Sequence, residues 1–95
     1  MMEFQQEPNR IFAQNDQGCL IAEITFPLID DIYYITHTYV DSSLRGQGVA
    51  GALMEAALSY IAKEEGKMIP TCTYAAAWCE AHPEAACLTA PQKDK

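Results

Sequence analysis

The first half of the chain alternates hydrophobic and polar side chains with a period of two. Residues 10–14 place apolar side chains between polar ends, and residues 32–40 are dense in β-branched and aromatic side chains, which favour strands. Residues 19–26 carry apolar side chains on one face, namely Leu20, Ala22, Ile24 and Phe26. Turn-forming residues separate these segments, with Gly18 free to adopt a positive φ. The pattern predicts three strands in an antiparallel meander.

The period changes from two to that of a helix after residue 40. Hydrophobic side chains then recur every three or four residues, at Val49, Leu53, Ala57 and Ile61. This spacing predicts an amphipathic helix of about five turns, with Gly66 as its left-handed capping residue. Residues 67–71 have the length and hydrophobicity of a strand. The alanine-rich residues 74–81 predict a second helix that stops before a His-Pro pair.

The predicted order of elements is β-β-β-α-β-α. The first helix is long enough to serve as a crossover, so the strands on either side of it are expected to be parallel neighbours. The fold class is therefore α+β, an antiparallel meander followed by α-β-α with a mixed sheet. A length of 95 residues fits one domain over residues 1–95, with residues 1–9 and 91–95 expected to fray.

The charge of the chain narrows the classes of partner. Six Lys and Arg residues against thirteen Asp and Glu residues give a net charge of −7. An acidic surface repels nucleic-acid backbones and anionic membranes, and it favours cationic partners such as amines. No apolar run approaches the ~20 residues of a membrane helix, and the first residues lack the pattern of a secretory signal. The cytoplasm is the expected location.

The cysteines and histidines predict neither a metal site nor a disulfide framework. The four cysteines are Cys19, Cys72, Cys79 and Cys87. They form no Cys-x-x-Cys pair, and only two histidines are available to complete a metal site. A disulfide framework normally needs denser cysteines and a secreted protein. Reduced thiols are therefore expected.

The segment with the strongest chemical signal joins the third strand to the long helix. Arg45 is followed by three closely spaced glycines, Gly46, Gly48 and Gly51. Glycines allow backbone N–H groups to face a ligand without an obstructing Cβ, and the positive end of the helix dipole favours an anion there. Arg45 adds a fork of donors. The spacing predicts a cradle for a pyrophosphate.

Three alternatives compete with this interpretation. The Gly-Lys-Ser/Thr ending of a P-loop is absent, which excludes that nucleotide site. Residues 46–51 follow the dinucleotide pattern GxGxxG, but an antiparallel meander stands where that fold requires a parallel βαβ unit. A glycine-rich turn without a ligand stays open on spacing alone.

Residues 45–50, Arg-Gly-Gln-Gly-Val-Ala, resemble the Arg/Gln-x-x-Gly-x-Gly/Ala signature of the GCN5-related N-acetyltransferases. The Pro-x-Cys-x-Tyr segment at residues 70–74 and His-Pro-Glu at residues 82–84 resemble a minimal-length branch of this superfamily, and the likeness covers about residues 10–84. The resemblance implies a transferase that uses acetyl-CoA as co-substrate. The CoA-binding residues that it implies are Val40, Arg45, Gly46, Gln47, Gly48, Val49, Ala50 and Gly51.

The resemblance also implies a gap in the sheet. In this superfamily the strands at residues 32–40 and 67–71 splay apart, and the pantetheine arm of CoA lies between them. Splayed strands leave backbone groups unpaired, which an amide-bearing arm can satisfy. One such N–H can polarise the thioester carbonyl.

Three side chains are candidates for catalysis. Cys72 follows the second of these strands, where it would serve as an acyl-accepting nucleophile or position the thioester; a packing cysteine is the alternative. For Tyr74 the resemblance implies a general acid for the leaving CoA thiolate, with a packing tyrosine as the alternative. His37 can deprotonate an ammonium acceptor, and a structural histidine is its alternative.

The acceptor is the part of the reaction that the sequence leaves open. Other members of the superfamily build an acceptor pocket from helices between the first two strands, where this chain has a short turn. An amine acceptor, either a small molecule or a protein, is the expected partner. A homodimer in which a second copy supplies the missing wall is compatible with the edge of a small sheet. A non-catalytic CoA-binding module is the alternative function.

Overall fold

The computed structural model describes residues 3–83 and 89. The elements in chain order are β1 (Gln5–Glu7), β2 (Arg10–Gln14), β3 (Leu20–Thr25), β4 (Leu28–Ile29), β5 (Ile32–Ile35), β6 (His37–Val40), a 3₁₀ turn (Ser42–Leu44), α1 (Val49–Lys63), β7 (Lys67–Pro70) and α2 (Thr73–Ala81). Strands β1, β2, β3 and β6 form an antiparallel sheet, and β4, β5 and β7 form a second, mixed sheet. The predicted α+β class is confirmed. Cys87 and the tail at residues 91–95 lie outside the described residues.

The predicted strand at residues 32–40 is in fact two strands that separate at Thr36. β5 pairs in parallel with β7, as expected for strands joined by a helix, whereas β6 pairs antiparallel with β3. The Thr36 N–H donates to the Thr25 carbonyl at 3.1 Å, at the point where the chain changes neighbour. The core-facing side chains also change phase, from Ile35 in β5 to Thr38 in β6. Threonine and tyrosine suit either face of a strand, so the sequence does not reveal this shift.

Two further strands lie where the sequence predicts none. β1 occupies part of the segment expected to fray, and it pairs with β2 with Gln6 opposite Ile11. All three β1 residues are exposed, so no hydrophobic alternation marks the strand. β4 and β5 form a hairpin whose turn residues, Asp30 and Asp31, have φ of 51° and 69°. Two positive φ values match the twist of hairpin strands, although aspartate is a less usual choice there than Asn-Gly.

Helix α1 covers one face of the first sheet. It packs across β2, β3 and β6, and its buried residues are Val49, Leu53, Met54, Ala57, Leu58 and Ile61. The predicted apolar face is thus confirmed, although the helix has 15 residues, about four turns rather than five. This packing holds the first turn of α1 beside the end of β6.

The end of α1 differs from the sequence prediction. Gly66 does not have a positive φ; Glu65 takes the left-handed position, with φ of 59°. The Gly66 N–H donates to the Ile61 carbonyl and the Glu65 N–H to the Ala62 carbonyl, both at 2.9 Å, which is a Schellman motif. A Cβ on Gly66 would lie 2.7 Å from Cε2 of Tyr33. Glycine is therefore required there for close packing, which only the tertiary structure reveals.

We expect substitutions at these two neighbours to have opposite effects on stability. Gly66→Ala should lower the free energy of unfolding by about 1–3 kcal/mol, because its Cβ overlaps a buried ring. Glu65→Gly should raise it by about 1 kcal/mol, because glycine has no steric cost in the left-handed region. Urea unfolding of both variants measures the two changes. A loss of stability in Glu65→Gly would contradict the assigned cap.

The described residues also bear on a membrane span and on a metal site, neither of which the sequence predicts. Neither α1 nor α2 combines the length and hydrophobicity that crossing a membrane requires. Within residues 3–83 and 89, no three His, Cys, Asp or Glu side chains are grouped so as to hold a metal ion. The thiols of Cys19, Cys72 and Cys79 are free.

Candidate acyl-CoA site

The glycine loop, residues 45–51, bends twice in the left-handed region before α1 begins. Gly46 and Gly48 have φ of 81° and 75°, which explains glycine at both positions. A Cβ built on either of them would have no atom within 4 Å. The space in front of the loop is therefore open, and it is not filled by packing within the described chain.

The start of α1 presents unsatisfied backbone donors to this space. The first helical hydrogen bond runs from the Ala52 N–H to the Gly48 carbonyl at 3.0 Å, and Gly48 supplies no side-chain cap. The preceding N–H groups of the helix have no acceptor among the described residues; they belong to Val49, Ala50 and Gly51. Such donors, together with the helix dipole, make a favourable site for an anion.

Asp41 holds the turn that leads into the loop. Its Oδ2 accepts from the Ser43 N–H at 3.0 Å and from the Ser43 hydroxyl at 2.6 Å, and its Oδ1 accepts from the Tyr39 hydroxyl at 3.3 Å. The Ser43 hydroxyl above all, and then the Ser43 N–H, lower the pKa of Asp41. The carboxylate therefore keeps these bonds until the pH falls through that lowered pKa. Asp41 is not among the site residues that the sequence predicts, although Asp-Ser-Ser is typical of an Asx turn.

A pocket of about 220 Å³ lies over the glycine loop. The residues that line it are Val40, Leu44, Arg45, Gly46, Gly48, Val49, Ala50, Gly51 and Tyr74. Leu44 is an addition to the predicted set, and Gln47 is not part of the lining, since its amide Nε2 donates to the Ser43 carbonyl at 3.4 Å. Arg45 is exposed and has no ion pair within the described part of the chain.

The two sheets diverge at one end of β5 and β7, next to this pocket. The carbonyl of Ile35 accepts three hydrogen bonds there: from the Thr71 N–H at 3.0 Å, the Thr71 hydroxyl at 3.0 Å and the Cys72 N–H at 3.1 Å. These bonds clamp the end of β7 to β5, while the chain continues from Ile35 into β6 beside β3. The clamp fixes the backbone of Cys72 where the strands separate.

The edge of β6 that faces away from β3 carries unpaired backbone groups. The Asp41 N–H donates to the Ile21 carbonyl at 2.8 Å, and alternate residues of an antiparallel strand point their backbone groups the same way. The groups of Thr38 and Val40 therefore point to the opposite edge, where no strand of the described chain pairs. An amide-bearing ligand can satisfy these groups.

Cys72 and Tyr74 lie together beside the pocket. Cys72 is the N-cap of α2, and its Sγ accepts from the Ala75 N–H at 3.3 Å. The Tyr74 hydroxyl is 4.0 Å from the position of a Cβ on Gly51, and 38% of the residue is exposed. Burial, and then the neighbouring Cys72, raise the pKa of Tyr74. The phenol therefore holds its proton near neutral pH.

The structure does not bring His37 to these two residues. Successive strand residues point to opposite faces, and Thr38 is the one directed at Cys72, with its Oγ1 3.6 Å from the sulfur. The His37 Nε2 lies 3.5 Å from a Glu23 carboxylate oxygen, and Glu23 also pairs with Arg10. His37 thus belongs to a polar cluster on the exposed face of the sheet, and a role as base stays a prediction.

Comparison with solved structures places this fold among acetyltransferases. A GCN5-like protein from Staphylococcus aureus, solved by NMR, matches with a TM-score of 0.78 and 27% identity over 96% of this chain and 90% of its own. A GNAT-family N-acetyltransferase from Escherichia coli, in complex with CoA, matches with a TM-score of 0.58 and 22% identity over 64% of this chain and 38% of its own. A ribosomal-protein-alanine N-acetyltransferase from Brucella melitensis biovar Abortus matches with a TM-score of 0.63 and 18% identity, over 90% of this chain and 64% of its own.

The chain thus spans nearly all of the staphylococcal protein but less than two thirds of the other two. No curated protein sequence matches it significantly. Residues 10–88 match the family model described as GCN5-related N-acetyl-transferase. That match covers most of the chain, including the glycine loop, Cys72 and Tyr74, and the protein therefore belongs to the GCN5-related N-acetyltransferase family.

Proposed function

We propose that this protein is an acetyl-CoA-dependent N-acetyltransferase whose glycine loop binds the CoA pyrophosphate. The observation that carries this proposal is the pocket over the loop, where an open glycine cradle and the exposed Arg45 meet N–H groups that no described residue accepts from. The CoA complex of the family member from Escherichia coli supports it.

The edge of β6 that no described strand pairs with indicates how the proposed CoA molecule would lie. The pyrophosphate at the start of α1 would be followed by the pantetheine arm along the backbone groups of Thr38 and Val40. The arm then points its thioester toward the end of β7, where Cys72 and Tyr74 lie. A backbone N–H of β6 is the donor that would polarise the thioester carbonyl.

Direct transfer needs an attacking amine and a proton for the leaving sulfur. The amine nitrogen bonds to the carbonyl carbon as the carbon–sulfur bond to CoA breaks, and the ammonium proton passes to a base or to solvent. Tyr74 donates its phenolic proton to the CoA thiolate and regains one from solvent. Its raised pKa keeps that proton available near pH 7.

A second route passes the acetyl group through Cys72. The sulfur of Cys72 bonds to the acetyl carbon, the bond to the CoA sulfur breaks, and the thiol proton ends on CoA. An amine then displaces the acetyl group from Cys72 and restores the thiol. The position of the sulfur at the N-terminus of α2 supports this route, because a helix N-terminus favours a thiolate.

Titration with acetyl-CoA tests the binding of CoA, and intact-mass measurement of the same sample tests for an acetyl group on Cys72. We expect one-to-one binding to the reduced protein and, on the covalent route, one added acetyl group on Cys72. Cys72→Ala should lose the adduct and keep CoA binding. Cys79→Ala is the matched control, since Cys79 is a second half-buried thiol on α2 and its loss should leave the adduct unchanged. Failure of a folded sample to bind CoA would refute the proposed function.

Turnover separates the enzyme from a CoA-binding module. We expect acetylation of cationic amines, because the net charge is −7 and an acidic surface attracts such acceptors. The proposed reaction uses cytoplasmic acetyl-CoA and reduced thiols. Binding of CoA without transfer to any amine of a broad panel would favour the module. The exposed position of His37 beside Glu23 is the feature of the structure that favours this second candidate.

A further inference from the structure

We infer that Thr38 is a positioning residue for Cys72: its hydroxyl donates to the cysteine sulfur and holds it as a thiolate aimed at the thioester. This inference rests on the proposed function, in which Cys72 receives or orients the acyl group. It adds a side chain from β6 to a site otherwise built from the glycine loop and α2. Neither the glycine-loop signature nor the Cys-x-Tyr segment contains this residue.

The sulfur of Cys72 has two hydrogen-bonding partners from different elements. The Ala75 N–H, in the first turn of α2, lies 3.3 Å from Sγ. The Thr38 hydroxyl, on β6, lies 3.6 Å from the same atom. Contacts of this length are within reach for sulfur, whose radius exceeds that of oxygen.

The backbone of each partner is held in place independently. Thr38 stands opposite Ile24 in the ladder of β3 and β6, and Cys72 is tied to the Ile35 carbonyl at 3.1 Å. β-Branched threonine has a restricted χ1 in a strand. The approach of the hydroxyl to the sulfur is therefore set by the sheet and by the clamp on Ile35, and not by a flexible side chain.

The protonation state of the sulfur decides what the hydroxyl does. A thiol can donate its proton to the Thr38 oxygen, whereas a thiolate only accepts. In the thiolate state both the Thr38 O–H and the Ala75 N–H donate to sulfur, and hydrogen bonds to a charged acceptor are the stronger ones. Tyr74, the titratable neighbour that interacts with Cys72, stays uncharged near neutral pH. Thr38 therefore favours the reactive form.

The test is the pH dependence of Cys72 alkylation by iodoacetamide, followed by peptide mass mapping of the full-length protein. Thr38→Val has the same shape without the hydroxyl. It should move the rate–pH curve about one pH unit higher, since a hydrogen bond to a charged group is worth about tenfold. At pH 7 the alkylation rate should fall about threefold and not tenfold, because the remaining thiolate is more nucleophilic and this partly offsets its lower population. Thr38→Ser, which keeps the hydroxyl, should restore the wild-type curve.

A matched control separates this role from a general effect of losing a hydroxyl. Thr25→Val removes the hydroxyl bond between Thr25 and Thr36, 2.9 Å long, and should leave the Cys72 curve unchanged. CoA affinity should be the same in Thr25→Val as in the wild-type protein, because Thr25 neither lines the loop pocket nor belongs to β6.

Two results would overturn the inference: an unchanged curve in Thr38→Val, or a failure of Thr38→Ser to restore it. The alkylation needs no CoA. A protein that binds no CoA but shows the shifted curve would therefore refute the proposed function while supporting the contact between Thr38 and Cys72.

Discussion

Arg45→Glu should weaken the binding of CoA about tenfold or more. Arg45 is the exposed cation of the glycine loop and lines its pocket. A charge-assisted hydrogen bond to phosphate contributes about 1.5–3 kcal/mol, and each 1.4 kcal/mol is a factor of ten in affinity. In the proposed complex, the substitution removes these donors and places a carboxylate against the pyrophosphate. Calorimetric titration with CoA measures the change in affinity. Raising the salt concentration should narrow the difference in affinity between the variant and the wild-type protein.

Lys63→Glu is the control for the change in total charge. Lys63 lies in the last turn of the same helix, at the end opposite the loop. The substitution alters the net charge by the same two units, so any effect of overall electrostatics on a polyanionic ligand appears in both variants. We expect less than a twofold loss of affinity here, a change that long-range electrostatics alone can produce. Equal losses in the two variants would show that Arg45 does not contact the pyrophosphate.

Gly48→Val should have an effect of similar size for a different reason. Gly48 has a φ of 75°, which costs an L-residue about 1–2 kcal/mol, and a β-branched side chain suffers most. Its Cβ would point into open space, where the ligand is proposed to lie. The variant should lose CoA binding about tenfold or more through the distorted cradle and the blocked approach. The same titration measures it.

Gly18→Val separates strain from blockage. Gly18 has a φ of 82°, and a Cβ on it would likewise have no atom within 4 Å. It lies in the turn between β2 and β3, so the substitution imposes similar backbone strain without touching the glycine loop. We expect a comparable loss of thermal stability in both variants and unchanged CoA affinity in Gly18→Val. Wild-type affinity in Gly48→Val would mean that the ligand does not use this cradle.

The elements that the sequence predicts well are those that local patterns control. The apolar face of α1 follows from side chains spaced three or four residues apart, and the boundaries of β2 and α2 agree with prediction to within one residue. The glycine loop is also a local signal, because positive φ at Gly46 and Gly48 is a property of the backbone at those residues. Short-range sterics suffice for each of these features.

The features that the sequence misses depend on segments far apart in the chain. Gly66 is required by the ring of Tyr33, and a contact between residues so distant leaves no periodic trace. β1 forms because an exposed segment pairs with the edge of β2, and no hydrophobic pattern in the sequence marks this segment. The break at Thr36 reflects competition between β3 and β7 for one strand.

By itself, the sequence determined the α+β class and the amphipathic helix, and it predicted that the glycine loop suits a pyrophosphate. The tertiary structure decided how these parts form a site. Within the described residues, it left one edge of β6 without a partner strand, brought Thr38 to Cys72, and turned His37 to the opposite face. The physical reason is that helix periodicity and glycine conformation arise from neighbours along the chain, whereas strand partners and side-chain contacts arise when distant segments pack on one core.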